Sequence, residues 1–131
     1  MTYAVLKELG ERPAANTGEL RRDLEAAVGT LMRAFSGPLG RALAGLVADM
    51  AEDVELAETL RREVLAPRRK SMREAFARAQ TRGEIRTDLN IELVLDMLTG
   101  PFYYRTLFGH APISRRMARD VVEYVLRIAQ H

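Results

Sequence analysis

The chain has no cysteine and no tryptophan, two histidines, and only two lysines among its 20 cationic side chains. Without cysteine there is no disulfide, no thiolate nucleophile and no thiolate metal ligand. His110 reads as a loop residue and His131 is the last residue, so a histidine-based metal site is not expected. Neither a Ser/His/Asp nor a Cys/His constellation assembles, and no glycine-rich phosphate cradle follows a strand. The acidic residues are scattered over helix faces, where solvation is the ordinary role. The expectation is a protein that is not an enzyme, with no catalytic residue, no metal and no cofactor. Long apolar runs are also missing: none approaches the roughly 18 residues that a membrane span requires. Lys7 and Glu8 interrupt the apolar start, so residues 1–10 are not a signal peptide. No membrane partner is expected, and a cytoplasmic location fits.

What is present is the composition of one globular domain: 131 residues, 47% hydrophobic and 29% charged. Such a length buries on the order of two-thirds of the unfolded chain's surface. The net charge is +2, with opposite signs interleaved along the chain, so composition gives no ground for nucleic-acid binding. Arginine and alanine are abundant, the codon signature of a high-GC bacterial genome.

Five helical segments follow from apolar spacing and turn signals. Asn16 and Glu19 have the spacing of a capping box, followed by the stripe Leu20, Leu24, Val28, Leu31 and Phe35. Gly37-Pro38 ends this helix and starts a second, from about Pro38 to Ala51. Its small-residue face, Gly40, Ala44 and Ala48, suits close helix packing. The third segment runs from about Val54 to Thr81, with a kink expected at Pro67 and a left-handed cap at Gly83. The basic run Arg68, Arg69, Lys70 and Arg73 beside the kink reads as a solvated face, with a ligand-phosphate or DNA contact as the alternative. The fourth helix starts near Asn90 and reaches Phe108, and the fifth, capped by Ser114, reaches Ala129. Strand-like alternation is absent. The fold class is all-α.

The last two helices carry more apolar surface than one small domain needs. On the fourth, Glu92, Asp96, Thr99, Tyr103 and Thr106 form a narrow polar stripe, leaving an apolar arc of about 240° at roughly 100° per residue. The fifth keeps Arg115, Arg116, Arg119, Glu123 and Arg127 to one side. An ordinary surface helix needs an apolar stripe little wider than about 100°. Either one helix is central and the other covers it, or both face a second subunit as a four-helix bundle across a two-fold axis. The second arrangement predicts a homodimer, with Val94, Phe102, Arg105, Met117, Val121, Tyr124, Val125 and Ile128 at the interface. Pro101 leaves the Met97 carbonyl unpartnered and predicts a bend, and Arg105 needs a carbonyl or a carboxylate, with Glu123 or Asp120 as candidates.

Methionines and aromatic residues on apolar faces suit an adaptable hydrophobic site, and kinks at Pro67 and Pro101 would hold helices apart around it. Helix faces nominate Met32, Phe35, Leu43, Val47, Met72, Phe76, Leu98 and Phe102 as lining residues, core filling being the alternative role.

In order, Leu65-Ala66-Pro67-Arg68-Arg69, Ala79 through Gly83-Glu84-Ile85-Arg86, Asp88-Leu89-Asn90, and Leu95-Asp96 through Gly100-Pro101-Phe102-Tyr103-Tyr104-Arg105 resemble the C-terminal domain of TetR-family transcriptional regulators. The segment from Asn16-Thr17-Gly18 to Leu20-Arg21 and Asp23-Leu24 is similar to the same subgroup, so the likeness covers about Thr17 to Ala129. The resemblance implies a five-helix domain that binds a small hydrophobic effector between its helices and dimerises through its last two. The family's helix-turn-helix precedes this domain and takes about 45 to 50 residues. Residues 1–15 read instead as a remnant of the connecting helix and linker, and residues 16–131 as the ligand-binding and dimerisation domain. The expectations are therefore a repressor's sensing part that does not bind DNA by itself or, alternatively, a stand-alone helical dimerisation module without ligand that titrates a full-length regulator.

Overall fold

A computed structural model describes residues 2–130. The elements are α1 (Thr2–Glu11), α2 (Leu20–Phe35), α3 (Pro38–Glu52), α4 (Val54–Leu60), a π-helical turn (Arg61–Leu65), α5 (Ala66–Thr81), α6 (Ile91–Phe108) and α7 (Arg115–Ala129). No strand occurs among the described residues. The α4–π–α5 run is a single helical rod over the span predicted for the third segment, and α1 is an additional helix.

Most helix ends follow from local chemistry. Asp53 accepts from the Leu56 N–H, Asn90 from the Leu93 N–H and Ser114 from the Met117 N–H, each with its side chain at 3.0–3.1 Å. Past α5, Gly83 takes φ 78°. The Gly83 N–H then reaches the Gln80 carbonyl and the Glu84 N–H the Ala79 carbonyl, the paired bonds of a Schellman cap. The start of α2 departs from expectation. Its N-cap residue is Glu19, which makes no side-chain capping bond, and Asn16 lies outside the helix. The Leu20 N–H instead donates to Glu84 Oε2 at 3.0 Å, from a residue 64 positions away. Buried Asp23 accepts from both the N–H and the hydroxyl of Thr17, which fixes the loop ahead of α2.

Around α2 the packing is dense. Leu20, Leu24 and Val28 meet Val122, Leu126 and Ala129 of α7, Leu95, Leu98 and Phe102 of α6, and Met72, Phe76 and Ala79 of α5 in one buried cluster. Burying such a side chain contributes roughly 1.5–3 kcal/mol. The Arg86 N–H reaches the Ala129 carbonyl at 2.9 Å and ties the end of α7 to the loop after α5.

Neither proline ends its helix. Pro67 sits in the first turn of α5, and the wide turn just before it accommodates the lost donor: the Ala66 N–H reaches back to the Arg61 carbonyl, five residues away. α6 continues through Pro101 to Phe108.

α1 belongs to the same packed unit. Leu6 is in the core cluster. Gly10 is buried against the π turn, where a Cβ would overlap the Val64 carbonyl oxygen. The Tyr3 hydroxyl donates to Glu63, and Lys7 lies 3.8 Å from the same carboxylate. Ser71 accepts from the Ala14 N–H, and Arg78 donates to the Ala15 carbonyl. Packing therefore crosses the boundary expected after residue 15.

The apolar surplus of the last two helices divides unequally. α7 buries Met117, Ala118, Val121, Val122, Val125, Leu126 and Ala129 in its own chain, so it is a covering helix. Val94 and Phe102 of α6 are buried likewise. Of the eight residues expected at a subunit interface, Val94, Phe102, Met117, Val121 and Val125 thus have almost no surface left for a partner. Tyr124 (58%) and Ile128 (36%) remain exposed, joined by residues that were not expected there: Leu93 (53%), Met97, Tyr104 (59%), Leu107 and Phe108 (72%). Arg105 is half-buried and donates to the Pro112 carbonyl at 2.9 Å, while Glu123 pairs with Arg21 at 2.6 Å. Of the partners foreseen for Arg105, the carbonyl is the one it meets.

Candidate functional site

Between the dense α2–α7 layer and α1 lies a cavity of about 80 Å³. Four parts of the fold wall it: Leu6, Leu9 and Gly10 of α1, Thr30, Leu31, Ala34 and Phe35 of α2, Val64, Leu65, Arg68, Arg69 and Met72 of the π turn and α5, and Leu95, Thr99 and Tyr103 of α6. Thr99 and Tyr103 flank Pro101, and Val64 and Leu65 belong to the π turn, so the space sits beside both irregularities of the backbone. Phe35 and Tyr103 meet edge to face, ring centroids 4.9 Å apart, and close one end.

The helix faces located this space only in part. Phe35 and Met72 line it. Phe76, Leu98 and Phe102 are fully buried core side chains, and Leu43 is buried as well. Val47 is exposed on α3, and Met32 lines a surface groove between α2 and α7 with Arg33 and Arg115. These six do not line the cavity: part of its wall is α1, which lay outside the five helices, and part is the π turn, which the spacing reads as ordinary helix. Thr99 and Tyr103 had been placed on the polar stripe of the fourth helix. That stripe turns inward here, and its polarity was the available signal.

The basic run divides residue by residue. Arg69 donates to Asp96 at 2.7 Å and to Glu92 at 3.2 Å, and Arg73 reaches Glu92 at 3.2 Å, so these two tie α5 to α6. Against the upward pull of burial, the bonds from Arg69 and Arg73 hold the Glu92 carboxyl below the usual range. Lys70 is exposed. Arg68, half-buried, turns to the cavity. It makes no hydrogen bond or ion pair among the described residues, in contrast to the four such bonds of its neighbour Arg69. Burial lowers the Arg68 pKa, with Arg12 acting in the same direction, and burial raises that of Tyr103. Each of the two feels the other's charge. An arginine remains a cation at neutral pH regardless.

The lining carries no acid and no histidine. Among the described residues no three or more His, Cys, Asp or Glu gather to hold a metal, and no helix is long and apolar enough to cross a membrane. What this site offers is a mainly apolar space in which Arg68 and Tyr103 are the polar groups without a hydrogen-bond partner among the described residues.

Residues 14–125 match the family described as Tetracyclin repressor-like, C-terminal domain. The chain belongs to this family: it is a TetR-family regulator C-terminal domain. Among curated proteins it is 28% identical over 110 residues to the uncharacterized HTH-type transcriptional regulator YdeS of Bacillus subtilis (strain 168), covering 84% of this chain and 56% of that protein. The chain thus spans a little over half the length of that relative. Among solved structures, the TetR family transcription regulator SCO0332 superposes with a TM-score of 0.84 at 26% identity, over 96% of this chain and 72% of that one.

Proposed function

We propose that this domain is the sensing and dimerisation part of a TetR-like repressor, and that it binds a small apolar effector in the cavity under α1. The observation that carries the reading is the cavity itself, walled on four sides and lined mainly by Leu6, Leu9, Leu31, Val64, Met72 and Leu95. At about 80 Å³ it is smaller than the ~150 Å³ space that accepts benzene in an engineered protein core. A drug-sized effector, which needs about 300 Å³ or more, must move a wall. α1 and the π turn are the walls that stand apart from the dense α2–α7 layer, with Leu6 alone of α1 reaching the core cluster. In a regulator whose helix-turn-helix precedes α1, displacement of α1 shifts the DNA-binding head and with it the half-site spacing of the dimer. The effector acts only insofar as it binds the displaced arrangement more tightly than the resting one.

The second subunit packs on the outer face of α6. Leu93, Met97, Gly100, Tyr104 and Leu107 recur at alternating steps of four and three, the spacing of a helix-packing seam, with Tyr124 and Ile128 of α7 beside them. Two such pairs form a four-helix bundle, and this face replaces the more buried residues named from sequence.

Filling the cavity tests the sensing reading. Ala34 lines it and is small. In a thermal-shift screen of small apolar compounds, neutral and acidic, a hit present at about 100 times its Kd stabilises the protein by about 2.7 kcal/mol. Ala34→Leu is expected to abolish that shift while leaving the helical circular-dichroism spectrum intact. A hit that stabilises Ala34→Leu as well as the parent binds elsewhere and refutes the assignment.

A further inference from the structure

We infer that the effector is an apolar acid, whose carboxylate is held by the Arg68 guanidinium and the Tyr103 hydroxyl while its hydrocarbon part lies against α1 and α2. The inference rests on the cavity being the effector site and goes on to name the chemical class that fits it.

Three observations carry it. First, Arg68 lies on the wall of an otherwise apolar cavity and has no carboxylate or carbonyl partner among the described residues. Arg68 is half-buried, and proteins ordinarily pair a guanidinium that is partly removed from water. Acids are at hand on the neighbouring face: Glu92 and Asp96 are both taken by Arg69, one position along the helix and therefore about 100° around it. Arg69 lines the cavity too but is engaged by those acids, which leaves Arg68 as the unpaired cation of the wall.

Second, the polar groups of the cavity that remain unengaged are donors. The Thr30 hydroxyl already donates to the Ala26 carbonyl and the Thr99 hydroxyl to the Leu95 carbonyl. The Tyr103 hydroxyl has no hydrogen-bond partner among the described residues, and its ring is fixed against Phe35. An arginine fork and a phenol together suit an acceptor with two oxygens.

Third, no acidic residue lines the cavity, so nothing in its wall competes with an anionic ligand for Arg68. The small volume and the lining leucines argue against a bulky, heavily hydrated anion and for a single carboxylate on a hydrocarbon body.

The test is calorimetric titration of the intact chain with hexanoate and benzoate, each against its own primary amide, which has nearly the same shape without the charge. Each acid is expected to bind at least about tenfold tighter than its amide. Arg68→Gln is expected to weaken the acids by about 10- to 100-fold and leave the amides within about twofold. Arg68→Lys keeps part of the preference, and Tyr103→Phe costs a few-fold for the acids alone. Far-UV circular dichroism and the melting temperature of each variant confirm that the fold is kept. Amides that bind as well as the acids, or an acid preference that survives Arg68→Gln, overturn the anion assignment and leave the cavity as a neutral site. If no acid or amide binds, and no screened compound is displaced from the cavity by Ala34→Leu, the cavity reading fails and this one with it.

Discussion

α6 and α7 both read from the sequence as carrying more apolar surface than a covering helix needs, and the fold uses the two differently. α7 is pressed onto α2 and α6, with seven side chains buried in its own chain and its arginines outward. α6 buries Val94, Leu95, Leu98 and Phe102, presents Thr99 and Tyr103 to a cavity, and leaves Leu93, Met97, Tyr104, Leu107 and Phe108 in solvent. One helix completes a core; the other is a partition between a hollow and a bare face. α7 is thus taken up by the core of its own chain while α6 keeps a bare apolar face, so a substitution on one exposed or buried face is expected to have consequences unlike those on the other.

That division can be tested by substitution. The largest effect is expected on α7: Leu126→Ala removes a side chain that is almost fully buried against α2, and should cost about 2–5 kcal/mol in denaturant unfolding, at every protein concentration. On α6, Phe108→Glu replaces a side chain that is 72% exposed. It is expected to leave the helical spectrum unchanged while converting a dimer to a monomer by light scattering and removing the concentration dependence of the melting temperature. A parent chain that is already monomeric at micromolar concentration would defeat the role given to this face. The smallest effect is electrostatic and touches both helices. The Arg21 hydrogen bond holds the Glu123 carboxyl of α7 below the usual range, as Arg69 and Arg73 hold Glu92 of α6. A depressed folded-state pKa contributes stability above the unfolded value of about 4.3, and that stability is lost as pH falls through the folded one. Melting temperature should therefore fall below about pH 4.3, less steeply in Glu92→Gln and in Glu123→Gln. Equal acid sensitivity in parent and variants would show that the pairs do not matter.

Legibility in the sequence tracked how local each cause is. Asn90 and Ser114 act within three residues, and Gly83 within one turn, so their helix ends could be read directly. Asn16 offered the same local signal for α2, but the Leu20 N–H is taken by Glu84, 64 positions on. The candidate site was legible only through Phe35 and Met72. Its other walls depend on α1 docking at Gly10 and on a π turn that shifts the phase of every residue between α4 and α5. The basic run looked like one solvated face because composition cannot tell Arg68 from Arg69. Both line the cavity, and it is the packing of α6 that pairs Arg69 with Glu92 and Asp96 and leaves Arg68 without a partner among the described residues.

By itself the sequence determined the all-α class, the helical span Val54–Thr81 and the apolar excess of its last two helices, because periodicity and capping are properties of neighbours along the chain. Tertiary structure decided which apolar residues were spent inside, where the hollow lies and which of its arginines is paired. Those are outcomes of helices competing for the same core, and a periodic stripe says that a face will be buried without saying against what.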